Sequence, residues 1–398
     1  MSGMGSSRVE RIASLDLVRG AAAFCVAIPH YFVLNSTDWP TAEAVSVISV
    51  EIFFILSGFV LAPQIMFCSR DGRLVNLLIF LVRRWMRTIL PFLVALAAIS
   101  VLVDQLLTGD FFRYAFYVQN AYGQHNVRDY FPIAWSLSVE EWFYVTFPVL
   151  IFICAKAFRR VDVQFALIVV VAFIVAITAL RTVFGDLQTW DAQVRRVTLF
   201  RIDSIAYGFL LYLIVQRLEA SWGRTCAVYV RPVLAALLIG LSVLGLYLTM
   251  WAIVPEGGAS RHVFPFVAAA VAMSVIALSY ASNSFFDKPY LGGLCIYLGR
   301  ISYSVYLFHI MLILLLRPSL QQLPLLVQLC IYVANCVIFC SIFYQCFEKP
   351  ILAARPKFKL ARSPALGSFA PQARSQGAIA AAVTLIEEPG QAVAVKVD

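Results

Sequence analysis

The sequence predicts an all-α, polytopic integral membrane protein with about ten transmembrane helices. Of its 398 residues, 61% are hydrophobic and only 13% are charged, whereas soluble domains average about 25% charged residues. A chain of this composition cannot cover a water-facing surface of ordinary polarity. We therefore expect the lipid bilayer to surround it, as a multi-pass protein of the plasma (inner) membrane. The net charge of +9 does not predict a nucleic-acid partner, because the basic residues form no contiguous face.

Ten segments have the length and apolar character of a spanning helix, which needs about 20 such residues. They lie near residues 15–34, 44–66, 88–107, 132–154, 163–183, 198–216, 232–253, 264–282, 298–316 and 323–345. Because ten is an even number, both ends of the chain lie on one side of the membrane. On that side, Lys and Arg residues are more than twice as numerous as on the opposite side. Positively charged loops face the cytoplasm, so both termini are predicted to be cytoplasmic.

The same pattern divides the chain into three parts. Residues 1–11 form a cytoplasmic N-terminus, residues 12–350 the membrane domain, and residues 351–398 a basic, then largely disordered cytoplasmic tail. The tail is too short for a soluble catalytic domain, so we expect any chemistry to be completed by the membrane domain. No metal site is predicted, because Cys336 and Cys340 have no further Cys or His nearby.

Two ionisable residues in the first predicted helix share one face. Arg19 and His30 are eleven residues apart, which is about three turns or 16 Å along the axis. Ionisable side chains within a span are costly and are often functional. A cation at the cytoplasmic end and an acid–base group deeper in suit a long ligand with an anionic head and a reactive far end, such as an acyl-coenzyme A. Alternatively, Arg19 contacts lipid phosphates and His30 bonds a backbone carbonyl.

Three more charged residues are candidates for the same site. Glu51 lies in the second predicted helix at a depth close to that of His30. Its carboxylate would either orient the imidazole or make a structural hydrogen bond. Arg84 and Arg87, placed just before the third span, would form a second anion clamp beside Arg19, although ordinary positive-inside topology also explains them.

Polar and aromatic residues at the outer start of the fourth span are candidates for holding an acceptor molecule. Trp135, Glu140 and Glu141 combine carboxylates with an aromatic ring, a combination that often holds sugars. The alternative is an aromatic belt at the membrane interface, where Trp and Tyr are enriched.

The ninth span carries a further set of polar groups, with His309 about midway through the bilayer. Ser302, Tyr303 and Tyr306 precede it on the same helix. A second histidine inside the membrane is another candidate for support of the site. Near the sixth span, Arg201 and Asp203 are expected to form a buried ion pair with each other.

Taken in order, seven motifs resemble the acyltransferase 3 family of bacterial membrane O-acyltransferases, over about residues 12–350. The motifs are LDLVRG, FFILSGF, RRWMRTILP, WSLSVEEWFY, RIDSIAYG, ISYSVYLFH and FEKP. Two departures are small: Leu17 and Val18 stand where the family usually has Gly-Leu, and Glu51 where it often has Asp. Neither departure removes a charge.

The resemblance implies transfer of an acyl group, with acetyl as the first expectation, from cytoplasmic acetyl-CoA or another acyl-CoA to a hydroxyl. The acceptor would be a carbohydrate or similar small molecule, such as a cell-surface glycan, and no cofactor would be tightly bound. His30 would be the essential histidine, acting as a general base or becoming transiently acylated. Arg19, Arg84 and Arg87 would contact the donor. The alternative is a transporter or flippase of a sugar or lipid-linked substrate, which would favour internal repeats that the sequence lacks.

Overall fold

The computed structural model describes residues 12–35, 40–121, 129–185, 190–222 and 258–359, with five isolated helical positions between residues 233 and 247. This part of the chain is helical and contains no strand. Nine of its helices are long and apolar enough to cross a membrane. The predicted all-α polytopic membrane fold is confirmed. The span predicted at residues 232–253 lies largely outside the described residues.

The described helices follow the predicted spans closely. They are α1 Ala13–Asn35, α2 Pro40–Asp71, α3 Leu74–Leu102, α4 Gly109–Ala115, α5 Ala134–Phe158, α6 Val163–Phe184, α7 Asp203–Trp222, α8 Gly258–Ala281, α9 Asn283–Phe286, α10 Pro289–Leu320, α11 Leu325–Phe343 and α12 Lys349–Ala353. Short turns of π- or 3₁₀-helix cover Asp191–Arg195, Thr198–Phe200 and Tyr344–Glu348. The main difference is α3, which begins at Leu74 rather than near residue 88.

The centre of the structure is α1, which packs along α10 and α2. At the end where α1 begins, Asp16 lies directly against Gly299 of α10, where a Cβ would approach the Asp16 side chain to 2.6 Å. The missing side chain at residue 299 therefore makes room for the carboxylate. This carboxylate in turn lies 3.4 Å from the guanidinium group of Arg19.

A second close approach joins α2 to α7. Gly58 and Gly208 face each other, and a Cβ on either would overlap the backbone of the opposite helix, at Ile205 and Ile55 respectively. Small residues at a crossing allow membrane helices to pack at short distance. The motifs FFILSGF and RIDSIAYG, which are far apart in the sequence, therefore meet at their glycines.

Buried ion pairs hold the same helices, but with partners different from the expected ones. Arg201 pairs with Glu51 of α2, and Asp203 pairs with Arg181 of α6 at 3.1 Å. The predicted pair between Arg201 and Asp203 is therefore wrong. Residues two apart at a helix start point in different directions, so each reaches a different neighbouring helix.

The crossing of α2 and α7 generates a stability prediction. Gly208→Ala places a methyl group against the backbone of Ile55 and should destabilise the protein by about 1–3 kcal/mol, as overpacking does. Gly293→Ala on α10 is the control, because its Cβ would meet no atom within 4 Å. Thermal unfolding in detergent should show a lower melting temperature for the first variant alone. Equal melting temperatures for the two variants would contradict the close crossing.

Candidate active site

A cavity of about 630 Å³, including its opening, lies between α1, α2, α3, α5 and α10. It brings Arg19 of α1 together with Arg84 and Arg87 of α3, which are distant from it in the sequence. Its remaining polar lining consists of Ser57, Thr88, Ser136, Glu140, Tyr144, Ser302, Tyr303 and Tyr306. The cavity therefore collects most of the residues that the sequence singled out.

The arginines enter the cavity from two helices. Arg19 is held by Asp16 of the same helix, and about a fifth of its side chain is exposed. Arg84 and Arg87 lie inside α3, about three turns after its start, and not before the helix as expected, because α3 begins much earlier than the apolar run. The guanidinium group of Arg84 lies over the ring of Tyr144, 4.9 Å from its centroid.

A chain of hydrogen bonds crosses the cavity wall beneath Arg84. The Tyr144 hydroxyl donates to Glu140 at 2.9 Å, and the Ser57 hydroxyl lies 2.6 Å from the same Tyr144 oxygen. An ionised carboxylate only accepts hydrogen bonds, so the Tyr144 hydroxyl donates its proton to Glu140. Ser57 must then donate to the oxygen of Tyr144. The geometry thus fixes the orientation of Glu140 beside the arginines.

The outer acidic and aromatic rim expected from Trp135, Glu140 and Glu141 is not formed as a unit. Glu140 lies about 9 Å along α5 from its first residue and lines the cavity. Glu141 is buried and does not line the cavity, since neighbouring helical residues point about 100° apart. Trp135 packs against Phe54 and under the guanidinium group of Arg195.

The α10 residues near the cavity are fixed by backbone contacts. The Ser302 hydroxyl donates to the carbonyl of Gly299 at 2.9 Å, and the Tyr303 hydroxyl donates to the carbonyl of Thr88 at 2.8 Å. Tyr303 therefore ties α10 to α3, on which two of the cavity arginines lie.

The two intramembrane histidines contact each other. Nδ1 of His30 lies 2.9 Å from Nε2 of His309, and the two rings are parallel to within 4°. His309 is fully buried, and its Nδ1 lies 2.8 Å from the carbonyl oxygen of Tyr306. His30 is half-buried, so one of the two rings retains access to its surroundings.

These contacts determine where the protons lie when both rings are neutral. A carbonyl oxygen only accepts, so Nδ1 of His309 carries its proton and its Nε2 is the acceptor. Nδ1 of His30 must then be the donor to that Nε2. The remaining nitrogen, Nε2 of His30, therefore carries a lone pair and has the character of a base.

Glu51 does not occupy the place that its depth predicted. Its carboxylate pairs with Arg201, and the contact that orients His30 is made by His309. The sequence placed Glu51 in α2 but did not indicate the side of the helix from which it projects. Of the two interpretations, the structural one describes this contact.

Tyr306 connects the cavity to the histidine pair. Its ring lines the cavity, its carbonyl accepts from His309, and its hydroxyl lies 2.5 Å from the Ser136 hydroxyl. Because Tyr306 is one helical turn before His309, their spacing was a signal for this link. Ser136 gave no such signal, since it faces Tyr306 only through the packing of α5 against α10.

Arg195 is a neighbour of His30 that no sequence pattern indicated. It lies between the rings of Trp135 and Trp190, at 5.2 and 5.9 Å, and it pairs with Asp191. Burial lowers the pKa of Arg195, and the charge of Asp191 opposes that shift. Arg195 is close enough to His30 to act on it electrostatically. The cationic groups within electrostatic reach of His30 thus include Arg195 and Arg196, which do not line the cavity.

Within the described ranges, no group of three or more His, Cys, Asp or Glu side chains is placed to hold a metal ion. Cys336 and Cys340 are buried as free thiols. The imidazoles, carboxylates and hydroxyls around the cavity are groups that can accept or donate a proton.

Comparison with known proteins relates the chain to acyltransferases. A family model described as an acyltransferase domain of the acyltransferase 3 type matches residues 12–345. The chain is 24% identical over 361 residues to O-acetyltransferase OatA of Staphylococcus aureus strain NCTC 8325, covering 85% of this chain and 57% of that protein. It is also 24% identical over 368 residues to the putative O-acetyltransferase SACOL0978 of Staphylococcus aureus strain COL, covering 86% and 58%. The chain thus spans less than two thirds of these curated relatives. No solved structure matches it.

The histidine contact predicts a particular pair of tautomers. With ¹⁵N-labelled histidine in bilayers at neutral pH, solid-state NMR should show Nδ1–H and an unprotonated Nε2 for both His30 and His309. His309→Ala removes the acceptor of the His30 proton and should allow His30 to populate its other tautomer. A wild-type His30 that carries its proton on Nε2 would contradict the deduced arrangement.

Proposed function

This chain belongs to the acyltransferase 3 family, and from that premise we propose that it is a membrane O-acetyltransferase. It moves an acetyl group from acetyl-CoA to a hydroxyl of a carbohydrate or similar acceptor. The observation that carries the proposal is a cavity with three arginines whose wall residue, Tyr306, also bonds the histidine pair. The similarity to proteins named O-acetyltransferases supports acetyl as the group transferred.

The cavity suits the anionic part of acetyl-CoA. Guanidinium groups bind phosphates through paired, charge-assisted hydrogen bonds. Arg19, Arg84 and Arg87 line the same cavity. Along α1, His30 lies about 16 Å beyond Arg19. The slender arm of the coenzyme would run along this face, which places the thioester near the histidine pair.

His30 is the group on which the transfer depends. In one route, its Nε2 takes the proton of the acceptor hydroxyl while that oxygen attacks the thioester carbonyl, and the coenzyme leaves as a thiolate. In the other route, Nε2 attacks the thioester itself and expels coenzyme A as a thiolate. The acceptor hydroxyl then attacks the acyl-imidazole, and its proton passes to Nε2 as the acetyl group leaves that nitrogen. In both, the ring gains positive charge, and the hydrogen bond from its Nδ1–H to His309 stabilises that charge.

His309 acts through His30, as a positioning residue. It is fully buried and is itself held by two backbone carbonyls, those of Tyr306 and Val305. A base that is oriented by a third group keeps its reactive nitrogen on the substrate side. In the proposed mechanism His309 has this orienting role, for which the sequence had suggested Glu51.

The acceptor would reach His30 from the side opposite the donor cavity. Arg195 and Arg196 lie near His30, and the rings of Trp135 and Trp190 enclose the Arg195 guanidinium group. Flat rings and fixed polar groups are suited to a sugar. The cell-surface location of the acceptor and the cytoplasmic location of the donor are parts of this proposal.

Kinetics of histidine variants test the mechanism. His30→Ala should abolish transfer of labelled acetyl from acetyl-CoA to an acceptor in membranes, with expression unchanged. His309→Ala should lower kcat by about 10²-fold, the lower range of acid–base effects, with little change in KM for acetyl-CoA. His309→Gln should recover part of kcat, since its amide oxygen can accept from His30. Wild-type transfer by His30→Ala would overturn the assignment, and transport of substrate without label transfer would favour a transporter.

The donor role of the cavity predicts a different kinetic signature. Arg19→Ala should raise the KM for acetyl-CoA by about 10- to 100-fold, because a charge-assisted hydrogen bond contributes about 1.5–3 kcal/mol. Arg300→Ala is the matched control, since Arg300 is exposed on α10 and does not line the cavity. An unchanged KM in the Arg19 variant would contradict the donor-binding role of the cavity.

A further inference from the structure

The chain that follows α12 runs back against the turn between α2 and α3. We call residues 354–359 the C-terminal strap. Arg83 of α3 donates to the carbonyl of Pro356 at 2.7 Å, and its guanidinium group lies 5.2 Å from the ring centroid of Phe358. Phe358 also packs edge-on against Phe67 of α2. The strap is thus anchored at its centre by one arginine and one aromatic contact.

A second anchor lies at the end of the strap. The side-chain amide of Asn76 donates to the carbonyl of Lys359 at 2.9 Å and accepts from the amide of the same residue at 2.8 Å. Asn76 is fully buried, and Asp71 accepts a further hydrogen bond from it at 2.7 Å. A buried amide that is satisfied in this way holds its partner firmly. The position of the strap is therefore specified by side chains of α2 and α3.

These anchors place Arg355 next to the part of α3 that carries Arg83, Arg84 and Arg87. Arg355 is half-buried, its Nε donates to the carbonyl of Leu352 at 3.1 Å, and it directly precedes the residue that Arg83 holds. Arg84 and Arg87, which follow Arg83 on α3, line the cavity. Arg355 of the strap is therefore within electrostatic reach of three arginines of α3, two of which line the cavity.

The charges around Arg355 are of both signs, since the carboxylates of Glu348 and Glu140 lie within electrostatic reach of Arg87 and Arg84. Burial and the positive charges of Arg87, Arg83 and Arg84 lower the pKa of Arg355 to about 9. Like charges held together repel one another, and the anchors of the strap offset that repulsion. A phosphate bound among these groups would turn the repulsion into attraction.

We propose that Arg355 is part of the donor site and binds the 3′-phosphate of the coenzyme A nucleotide. This inference rests on the proposed function. Arg355 is not among the residues that line the cavity, so it meets a part of the ligand that lies outside it. Coenzyme A carries a diphosphate next to its arm and a further phosphate on the ribose. The cavity arginines take the diphosphate, and the strap takes the ribose phosphate.

A comparison of two ligands on two variants isolates this contact. The full chain is placed in nanodiscs of phosphatidylcholine, and the Kd values of coenzyme A and 3′-dephospho-coenzyme A are measured calorimetrically. Arg355→Ala should weaken coenzyme A binding about tenfold, the loss of one charge-assisted hydrogen bond, and leave binding of the dephospho ligand unchanged. Lys357→Ala, at an exposed position of the strap, should change neither, and Arg355→Lys should restore part of the loss.

The contrary outcomes separate the two proposals. Equal weakening of both ligands by Arg355→Ala would show a structural role for Arg355, and no weakening would show no role; either result overturns the assignment while the donor cavity stands. Failure of the wild-type protein to bind coenzyme A would overturn the proposed function as well. A lipid phosphate is the other source of the same chemistry. Adding phosphatidylglycerol to the nanodiscs should leave coenzyme A binding by the wild-type protein unchanged. If this lipid weakens coenzyme A binding in the wild-type protein but not in Arg355→Ala, Arg355 binds a lipid phosphate instead.

Discussion

The hydrogen bond between His30 and His309 joins the two helices on which the rest of the site depends. It fixes α1 against α10 deep in the bundle, and the contact of Asp16 with Gly299 fixes the same two helices at the other end. Two contacts about four turns apart on α1 determine both the register and the rotation of α1. Arg19 and His30 are carried on the segment between them, so their spacing is set by helix geometry and their direction by the partner helix.

Buried charges elsewhere in the bundle follow a different rule. Glu51 with Arg201, and Asp203 with Arg181, are each paired between segments that are distant in the sequence. An unpaired charge at such depth would cost several kcal/mol, so these pairs specify which helices become neighbours. They support α2, α6 and α7 around the close crossing at Gly58 and Gly208. Charges that line the cavity differ, because their surroundings are open enough to admit a ligand.

The fold was predictable from the sequence because the length of each apolar segment shows which residues can form a membrane-spanning helix. The same property placed Arg19 and His30 in one helix at the right separation. Rotation about a helix axis does not follow from apolar length. Apart from the start of α3, which was predicted too late, the wrong expectations concerned rotation. Glu51 faces Arg201 instead of His30, and Arg201 and Asp203 turn to different partners. Such directions are decided by side chains of other helices, which no local pattern records.

Tyr306 and Ser136 have a consequence for the proposed reaction. Their hydroxyls meet at 2.5 Å and belong to the wall of the donor cavity, while the carbonyl of Tyr306 holds His309. A thioester must be kept from water until the acceptor is in place, and a wall between the solvent-accessible cavity and the histidines meets that need. The arm of the donor would have to pass this hydroxyl pair to reach His30. Because the hydroxyl of Tyr306 lies in the wall and its backbone carbonyl holds His309, entry of the donor and alignment of the base would both depend on this one residue.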